Sequence, residues 1–154
     1  MDFLISAVPA AEFQHYFVMD EAELANHFGR RLVADGPGFP CRVSLMDAAI
    51  GEDILLINYE HQPAPTPYRA SHAIFIRRDA VQAQFSRNEI PQNFYSRTLS
   101  LRGFDHAHML KAASVVPGAD LDMTLRELFD DAAIAYIHIH NAKHGCYHAR
   151  PDRA

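Results

Sequence analysis

The chain has 154 residues, 49% hydrophobic and 21% charged, which is typical of a single globular domain. Its net charge of -5 predicts no binding of nucleic acid or of an anionic membrane, and no apolar run reaches the ~18 residues of a membrane helix. Its first residues lack a secretory-signal pattern and it has only two cysteines, so we expect a cytoplasmic protein with free thiols. A disulfide between Cys41 and Cys146 would require export.

The N-terminal part predicts a strand, a helix and a second strand. The apolar run 3–8 has the length of a strand. Asp20, followed three residues later by Glu23, has the pattern of a capping box and predicts a helix from 21 to about 28. Residues 30–34 then predict the second strand.

The first irregular loop covers residues 35–42. It contains two glycines and two prolines, which exclude regular structure, and it ends on Cys41 and Arg42. A rigid loop that presents a thiol and a guanidinium is typical of the wall of a functional site. The alternative interpretation is a connecting loop whose cysteine is a small buried hydrophobic residue.

The strand predicted most clearly covers residues 53–61. It is apolar on both faces at its centre, which predicts a central position in a sheet. Because side chains alternate along a strand, Ile57, Tyr59 and His61 should share one face. The strand becomes polar at its C-terminal end, and this pattern predicts a functional site there.

A second loop, residues 62–72, contains three prolines that restrict its backbone. It ends in four side chains that can donate a hydrogen bond to a ligand oxygen, namely Tyr68, Arg69, Ser71 and His72. The alternative interpretation is a solvated crossover loop.

The chain continues with a predicted hairpin and a predicted helix. Two strands, 98–105 and 109–116, are separated by a loop of about four residues. Asp120 or Asp122 can cap a helix through residues 123–129, whose leucines have amphipathic spacing and should face the core.

The C-terminal stretch 136–150 holds four of the ten histidines and one of the two cysteines. In a strand, His138 and His140 point to one face, while Ile137 and Ile139 point to the other and anchor the strand in the core. Their Cα atoms would be about 7 Å apart, given a rise of about 3.3 Å per residue. This spacing suits two ligands of one metal, and it suits equally two polar groups in a pocket.

Three kinds of chemistry are compatible with these residues. His138 and His140 could bind a metal, although no paired zinc-ligand spacing is present. Cys41 or Cys146 could act as a thiol nucleophile beside a histidine base. Arginines with tyrosine and histidine neighbours could bind a small anion without covalent chemistry.

We favour a polar pocket, built from the two loops and the histidine strand, that binds and could act on a small anionic or polar ligand. The alternatives are a metal-binding protein and a non-catalytic interaction module. Whether the protein is an enzyme, its cofactor and its oligomeric state stay open, and no metal ligand is assigned. The candidate catalytic residues are Cys41, His61, His138 and His140. The candidate ligand-binding residues are Arg42, Tyr59, Tyr68, Arg69, Ser71, Asn141 and Cys146.

Four sequence blocks and the Gly145-Cys146 pair resemble an uncharacterised bacterial family, domain of unknown function 1203. The blocks are 38–42, 58–63, 67–71 and 138–142. The resemblance extends over nearly the whole chain and implies one compact bacterial domain. It implies no activity, substrate or cofactor.

The predicted elements together indicate an α+β fold in a single domain, residues 1–154. We expect a mainly antiparallel sheet of five to seven strands with three or four short helices. Hairpins and few helices long enough for crossovers argue against a doubly wound parallel sheet.

Overall fold

Eight strands form two antiparallel sheets in the computed structural model, which describes residues 1–154. The five-stranded sheet has the order β1-β8-β7-β5-β6, and the three-stranded sheet has the order β2-β3-β4. The predicted α+β class with antiparallel pairing is confirmed. The division of the strands into two sheets was not predicted. The strands are β1 (Phe3–Ser6), β2 (Gly29–Val33), β3 (Asp53–Gln62), β4 (Ala70–Arg77), β5 (Thr98–Phe104), β6 (Leu110–Pro117), β7 (Tyr136–Asn141) and β8 (Tyr147–Arg153).

Two α-helices accompany the sheets. Helix α1 (Glu21–Asn26) begins with the predicted capping box, in which Glu23 N donates to Asp20 Oδ1 at 2.8 Å and Asp20 N donates to Glu23 Oε2 at 2.9 Å. Helix α2 (Leu121–Asp130) buries one apolar face. Short 3₁₀ helices cover Ala10–Glu12, Gln14–Val18, Gln92–Phe94 and Gly118–Asp120. None of the helices has the length and apolar character needed to cross a bilayer.

Each sheet has its own hydrophobic core. Ile137 and Ile139 of β7 are fully buried in the core of the five-stranded sheet, as predicted, together with Leu125 and Phe129 of α2. The core of the three-stranded sheet includes Leu55, Ile57, Ile74 and Ile76. The core residues of β7 thus lie on one face of that strand, and its histidines are left for the opposite face.

The central strands of the two sheets carry the polar residues of interest. β3 pairs with β2 and β4 and is the middle strand of its sheet, as predicted. β7 is the middle strand of the five-stranded sheet. Burial along β3 alternates as expected, with Ile57 buried, Tyr59 and His61 half-buried, and Asn58 and Glu60 exposed.

A β-bulge shifts the register between β7 and β8. Ile139 pairs with Ala149, but His140 pairs with Tyr147, so His148 is the extra residue on β8. A one-residue shift moves the following side chains to the other face of the sheet. The bulge therefore places Tyr147 on the same face as His140. Both cysteines are free thiols.

Candidate functional site

Three histidine side chains meet between the two sheets. His61 extends from the end of β3, and His138 and His140 extend from β7. Their ring centroids are 4.9, 5.6 and 6.1 Å apart, and one nitrogen from each ring lies within 4.8 Å of the other two. His138 and His140 are buried, whereas His61 is half-buried. Three convergent imidazole nitrogens form a ligand set that suits zinc and related transition metals. We refer to these three residues as the histidine cluster.

A backbone carbonyl determines the tautomer of His140. The Nδ1 atom of His140 lies 2.9 Å from the carbonyl oxygen of Gly145. Because a carbonyl oxygen only accepts, Nδ1 must carry the proton and Nε2 must carry the lone pair. Gly145 has a φ of +76°, which glycine adopts readily, in the turn between β7 and β8. The turn therefore orients His140 as outer-shell carbonyls orient metal-ligating histidines.

The histidine cluster contains unused hydrogen-bonding capacity. His61 Nδ1, His138 Nδ1 and His140 Nε2 are each buried without a hydrogen-bond partner in the protein. Leaving a buried polar atom unsatisfied costs about 1–3 kcal/mol. Three such atoms in one cluster call for an explanation, and a shared ligand would supply one.

Burial keeps the three imidazoles neutral near neutral pH. Desolvation is the largest cause in each case, and it lowers the pKa of His61 to about 4, of His138 to about 2 and of His140 to about 3. At His140, the hydrogen bond to Gly145 opposes this shift. The positive charge of Arg102, which pairs with His138 between β5 and β7, is among the causes of all three pKa shifts. Neutral imidazole is the form that binds a metal.

Aromatic rings surround the histidine cluster. The ring of Tyr147 stacks on His61 with a centroid distance of 5.1 Å and an interplanar angle of 2°. Tyr136 lies 5.3 Å from His138 on the other side. Burial in this apolar environment raises the pKa of Tyr147. The aromatic rings therefore give the cluster a mostly apolar environment, which strengthens electrostatic interactions inside it.

Cys41, a candidate nucleophile, lies in the core of the three-stranded sheet and is fully buried. Its Sγ accepts hydrogen bonds from the backbone N–H groups of Ser44 at 3.5 Å and Arg77 at 3.3 Å. These partners are backbone groups and not a histidine base. The thiol thus packs as a small buried side chain.

The second loop places its candidate residues mainly on the surface. Arg69 forms an exposed ion pair with Glu60, and Ser71 is exposed. Tyr68 is 38% exposed and packs edge-to-face on Phe104, with ring centroids 6.1 Å apart. The two ends of this loop do reach the histidine strand, since Gln62 Nε2 donates to the hydroxyl of Tyr136 at 2.9 Å and His72 lines a cleft together with Asn141. Arg69 and Ser71 do not reach it.

Tyr59, a further candidate, borders the histidine cluster without joining it. Its ring lies 6.2 Å from Tyr147 and 5.7 Å from Phe13. Burial raises the pKa of Tyr59 to about 12, and the carboxylate of Glu12 adds to the shift. Tyr59 therefore contributes aromatic surface beside Tyr147.

Three further candidates line a separate cleft. Arg42, Asn141 and Cys146 all border a cavity of about 360 Å³. None of the three cluster histidines is among the residues that line it. The sequence-predicted site residues thus divide between two locations, a histidine cluster and an arginine-containing cleft.

Three residues that the structure places at these sites were not predicted from sequence. Tyr147 reaches the histidine cluster because of the β-bulge, and Arg102 reaches it through strand pairing. Arg97, the residue immediately before β5, lines the cleft. Arg102 alternates with the buried residues Leu101 and Gly103 of β5, so strand periodicity weakly predicts that it shares a face with the other polar residues. The bulge has no local sequence pattern that predicts it.

Comparison with known proteins identifies one matching family. Residues 38–153 match the sequence model of a family described as "Protein of unknown function (DUF1203)". The match covers well over half of the chain. No curated protein and no solved structure matches the chain.

Proposed function

The chain belongs to the DUF1203 family, and for it we propose that the protein binds a transition metal, with zinc as the first candidate, through His61, His138 and His140. One observation carries the proposal: three neutral imidazoles converge from two sheets, and a nitrogen on each is buried without a partner. A metal would satisfy all three lone pairs at once.

The distances suit a site that closes around its ion. Zinc–nitrogen bonds of about 2.0–2.1 Å in tetrahedral geometry place ligand nitrogens about 3.3 Å apart. The nitrogens of the histidine cluster lie within 4.8 Å of one another, so each pair needs to approach by at most about 1.5 Å. Rotation of the half-buried His61 ring would shorten two of the three distances, and rotations of His138 and His140 would shorten the third.

The fourth metal position would be available to a water molecule or a small anion. Three protein ligands with one open position are typical of catalytic zinc sites, in which the pKa of bound water falls to about 7. The ligand set contains no carboxylate to reduce the charge of the ion. Arg102 adds a positive charge nearby, and burial alone lowers its pKa. These charges favour an anion, so this proposal retains the small anionic ligand that was expected from the sequence.

The proposal changes the roles of several candidate residues. His61, His138 and His140 become metal ligands in place of general bases. Arg102 takes the place of Arg69 as the cation beside the ligand. Cys41 has no part in this function.

The experiment is metal titration of protein purified without a histidine tag and stripped with a chelator. We expect one equivalent of Zn²⁺ to bind, and Co²⁺ to give the intense visible absorption of a tetrahedral site. His61→Leu should weaken binding by at least about 100-fold, since it removes a direct ligand, whereas second-shell changes cost about 10- to 100-fold. His144→Leu, at an exposed position, is the matched control. Binding of less than one equivalent, or equal affinity in wild type and His61→Leu, would rule out the site.

A further inference from the structure

The cleft beside Arg42 has an unusual charge distribution. It lies between the first loop, β4 and the turn between β7 and β8, and has a volume of about 360 Å³. Apolar walls are provided by Pro40, Leu56 and Phe75. The polar residues that line it are Arg42, His72, Arg97, Asn141, His144 and Cys146, and none of them is a carboxylate.

Arg42 is buried, with 1% of its surface exposed, yet it has no carboxylate partner. The acidic groups beside it are the thiols of Cys146 and Cys41, which oppose the lowering of the Arg42 pKa by burial. Its Nε donates to the carbonyl of Tyr147 at 2.6 Å, and its Nη1 donates to the carbonyl of Pro40. The remaining nitrogen, Nη2, donates to no oxygen of the chain. Two carbonyls orient the guanidinium but do not neutralise its charge, and a buried unpaired charge is costly.

A second guanidinium increases the positive charge of the cleft. The Nη2 atom of Arg97 donates to both carboxylate oxygens of Asp47, at 2.7 and 2.9 Å, and only 15% of the Arg97 side chain is exposed. Burial lowers the pKa of Arg42, and the charge of Arg97 lowers it further. Asp47 balances Arg97 alone, so one positive charge facing the cleft has no counter-charge.

We propose that this cleft binds a small organic oxyanion, a carboxylate or a phosphomonoester, whose charged group lies on the guanidinium of Arg42. A guanidinium with a free Nη2 edge can donate to such a group with good geometry. Asn141 and His72 supply further polar groups on the wall, and Leu56 and Phe75 supply apolar contact for the body of the ligand. The volume is at the lower end of the range for small-molecule sites, about 300–1,000 Å³, which limits the ligand to a small metabolite-sized acid.

The site is independent of the proposed metal centre. No histidine of the cluster lines the cleft, and no cleft residue belongs to the cluster. The turn between β7 and β8 lies between them, since Gly145 binds His140 and the adjacent Cys146 faces the cleft. Anion binding should therefore persist in metal-free protein.

The test is a substitution that supplies a negative charge to Arg42 from a neighbouring side chain. Cys146→Asp introduces a carboxylate beside Arg42, and Cys146→Asn is its neutral matched control. We measure Tm in acetate and in phosphate against chloride at equal ionic strength, with chelator present. For wild type, we expect a saturable rise of about 3–6 °C at tenfold the Kd. Cys146→Asn, which keeps Arg42 without a carboxylate, should retain a saturable rise. Cys146→Asp should melt higher than Cys146→Asn in chloride and respond only by the general effect of phosphate as a stabilising salt.

The relative response to acetate and phosphate identifies the class of anion. A larger saturable shift in acetate indicates a carboxylate ligand, and a larger shift in phosphate indicates a phosphomonoester. If Cys146→Asp responds like wild type, or if wild type shows no saturable shift over chloride, the proposal is wrong.

A second measurement uses the unmodified chain. The bound anion should slow the reaction of Cys146 with the neutral reagent iodoacetamide several-fold, because the anion occupies the cleft through which the reagent must reach the thiol. An unchanged rate at saturating acetate and at saturating phosphate would also overturn the proposal.

Discussion

The carbonyl oxygen of Gly145 accepts a hydrogen bond from Nδ1 of His140 at 2.9 Å, across the turn that joins β7 to β8. This contact links backbone conformation to side-chain chemistry, because the direction of the carbonyl depends on the φ of +76° at Gly145. The Nε2 lone pair of His140 is then available within the histidine cluster. The geometry of one glycine therefore influences the proposed metal centre.

Replacing Gly145 with alanine should destabilise the protein and weaken metal binding together. The left-handed conformation costs a residue with a Cβ about 1–2 kcal/mol, while the space around this position would accept the methyl group, with His72 Nε2 at 4.0 Å as the nearest atom. A relaxed turn would move the carbonyl away from His140, and we expect Zn²⁺ affinity to fall about 10-fold.

The control for this prediction is Gly36→Ala. Gly36 has open space around it and no positive φ, so the substitution should leave both quantities unchanged. Stability is measured by denaturant unfolding and affinity by calorimetry. A stable Gly145→Ala variant with wild-type affinity would contradict the role assigned to this carbonyl.

Metal binding should stabilise the fold, because it joins the central strands of the two sheets. At a free Zn²⁺ concentration 100 times the Kd, linkage predicts a gain of about 2.7 kcal/mol and a rise in Tm of about 5–11 °C. His61→Leu should lose this rise. A rise of equal size in both proteins would place the binding of zinc elsewhere on the chain.

Much of the histidine cluster could be predicted from strand periodicity. The alternation along β7 correctly placed His138 and His140 opposite Ile137 and Ile139, because side chains on a strand alternate whatever the tertiary context. The same rule predicted that His61 shares a face with Ile57 and Tyr59, and the burial pattern of β3 agrees, although the pairing with β4 shifts between Tyr59 and Gln62. The capping box of α1 was equally readable, because it is a local interaction within four residues.

What the sequence could not supply was the relation between distant strands. His61 and His140 belong to different sheets and meet only through tertiary structure, and nothing near residue 61 in the sequence predicts that contact. The β-bulge that brings in Tyr147 has no local signature either. Arg69 was expected at the ligand because it follows a rigid loop, yet its ion pair with Glu60 holds it at the surface.

Acid should destabilise the metal-free protein, and His148 allows one contribution to be isolated. His148 is fully buried with neither ring nitrogen hydrogen-bonded, and burial keeps its pKa well below the usual 6.5, with Arg42 and Arg97 adding to the shift. Below pH 6.5 the unfolded state binds a proton at His148 that the folded state does not bind. The free energy of unfolding therefore keeps its full contribution from neutral His148 above pH 6.5 and decreases as the pH falls. One such histidine contributes about 2 kcal/mol between about pH 7 and about pH 5.

We therefore expect His148→Leu to flatten the dependence of unfolding free energy on pH by about this amount, measured with chelator present. At neutral pH the variant should be at least as stable as wild type, since two unpaired polar atoms are removed. His144→Leu, at an exposed position, is the matched control. A wild-type slope in His148→Leu would show that His148 binds its proton over the same pH range in the folded and unfolded states.

The two thiols should differ sharply in reactivity, because Cys146 borders the cleft while Cys41 is fully buried. In native protein, a thiol reagent such as DTNB should label one cysteine quickly, and the second only after denaturation. Cys146→Ala should abolish the fast phase and Cys41→Ala should preserve it. Cys41→Ala should also cost stability, on the order of 1–3 kcal/mol, because it leaves a small cavity and two backbone N–H groups without their sulfur acceptor. Fast labelling of Cys41 in the folded protein would instead restore it as a candidate nucleophile, because a thiolate must be reached by its substrate to react.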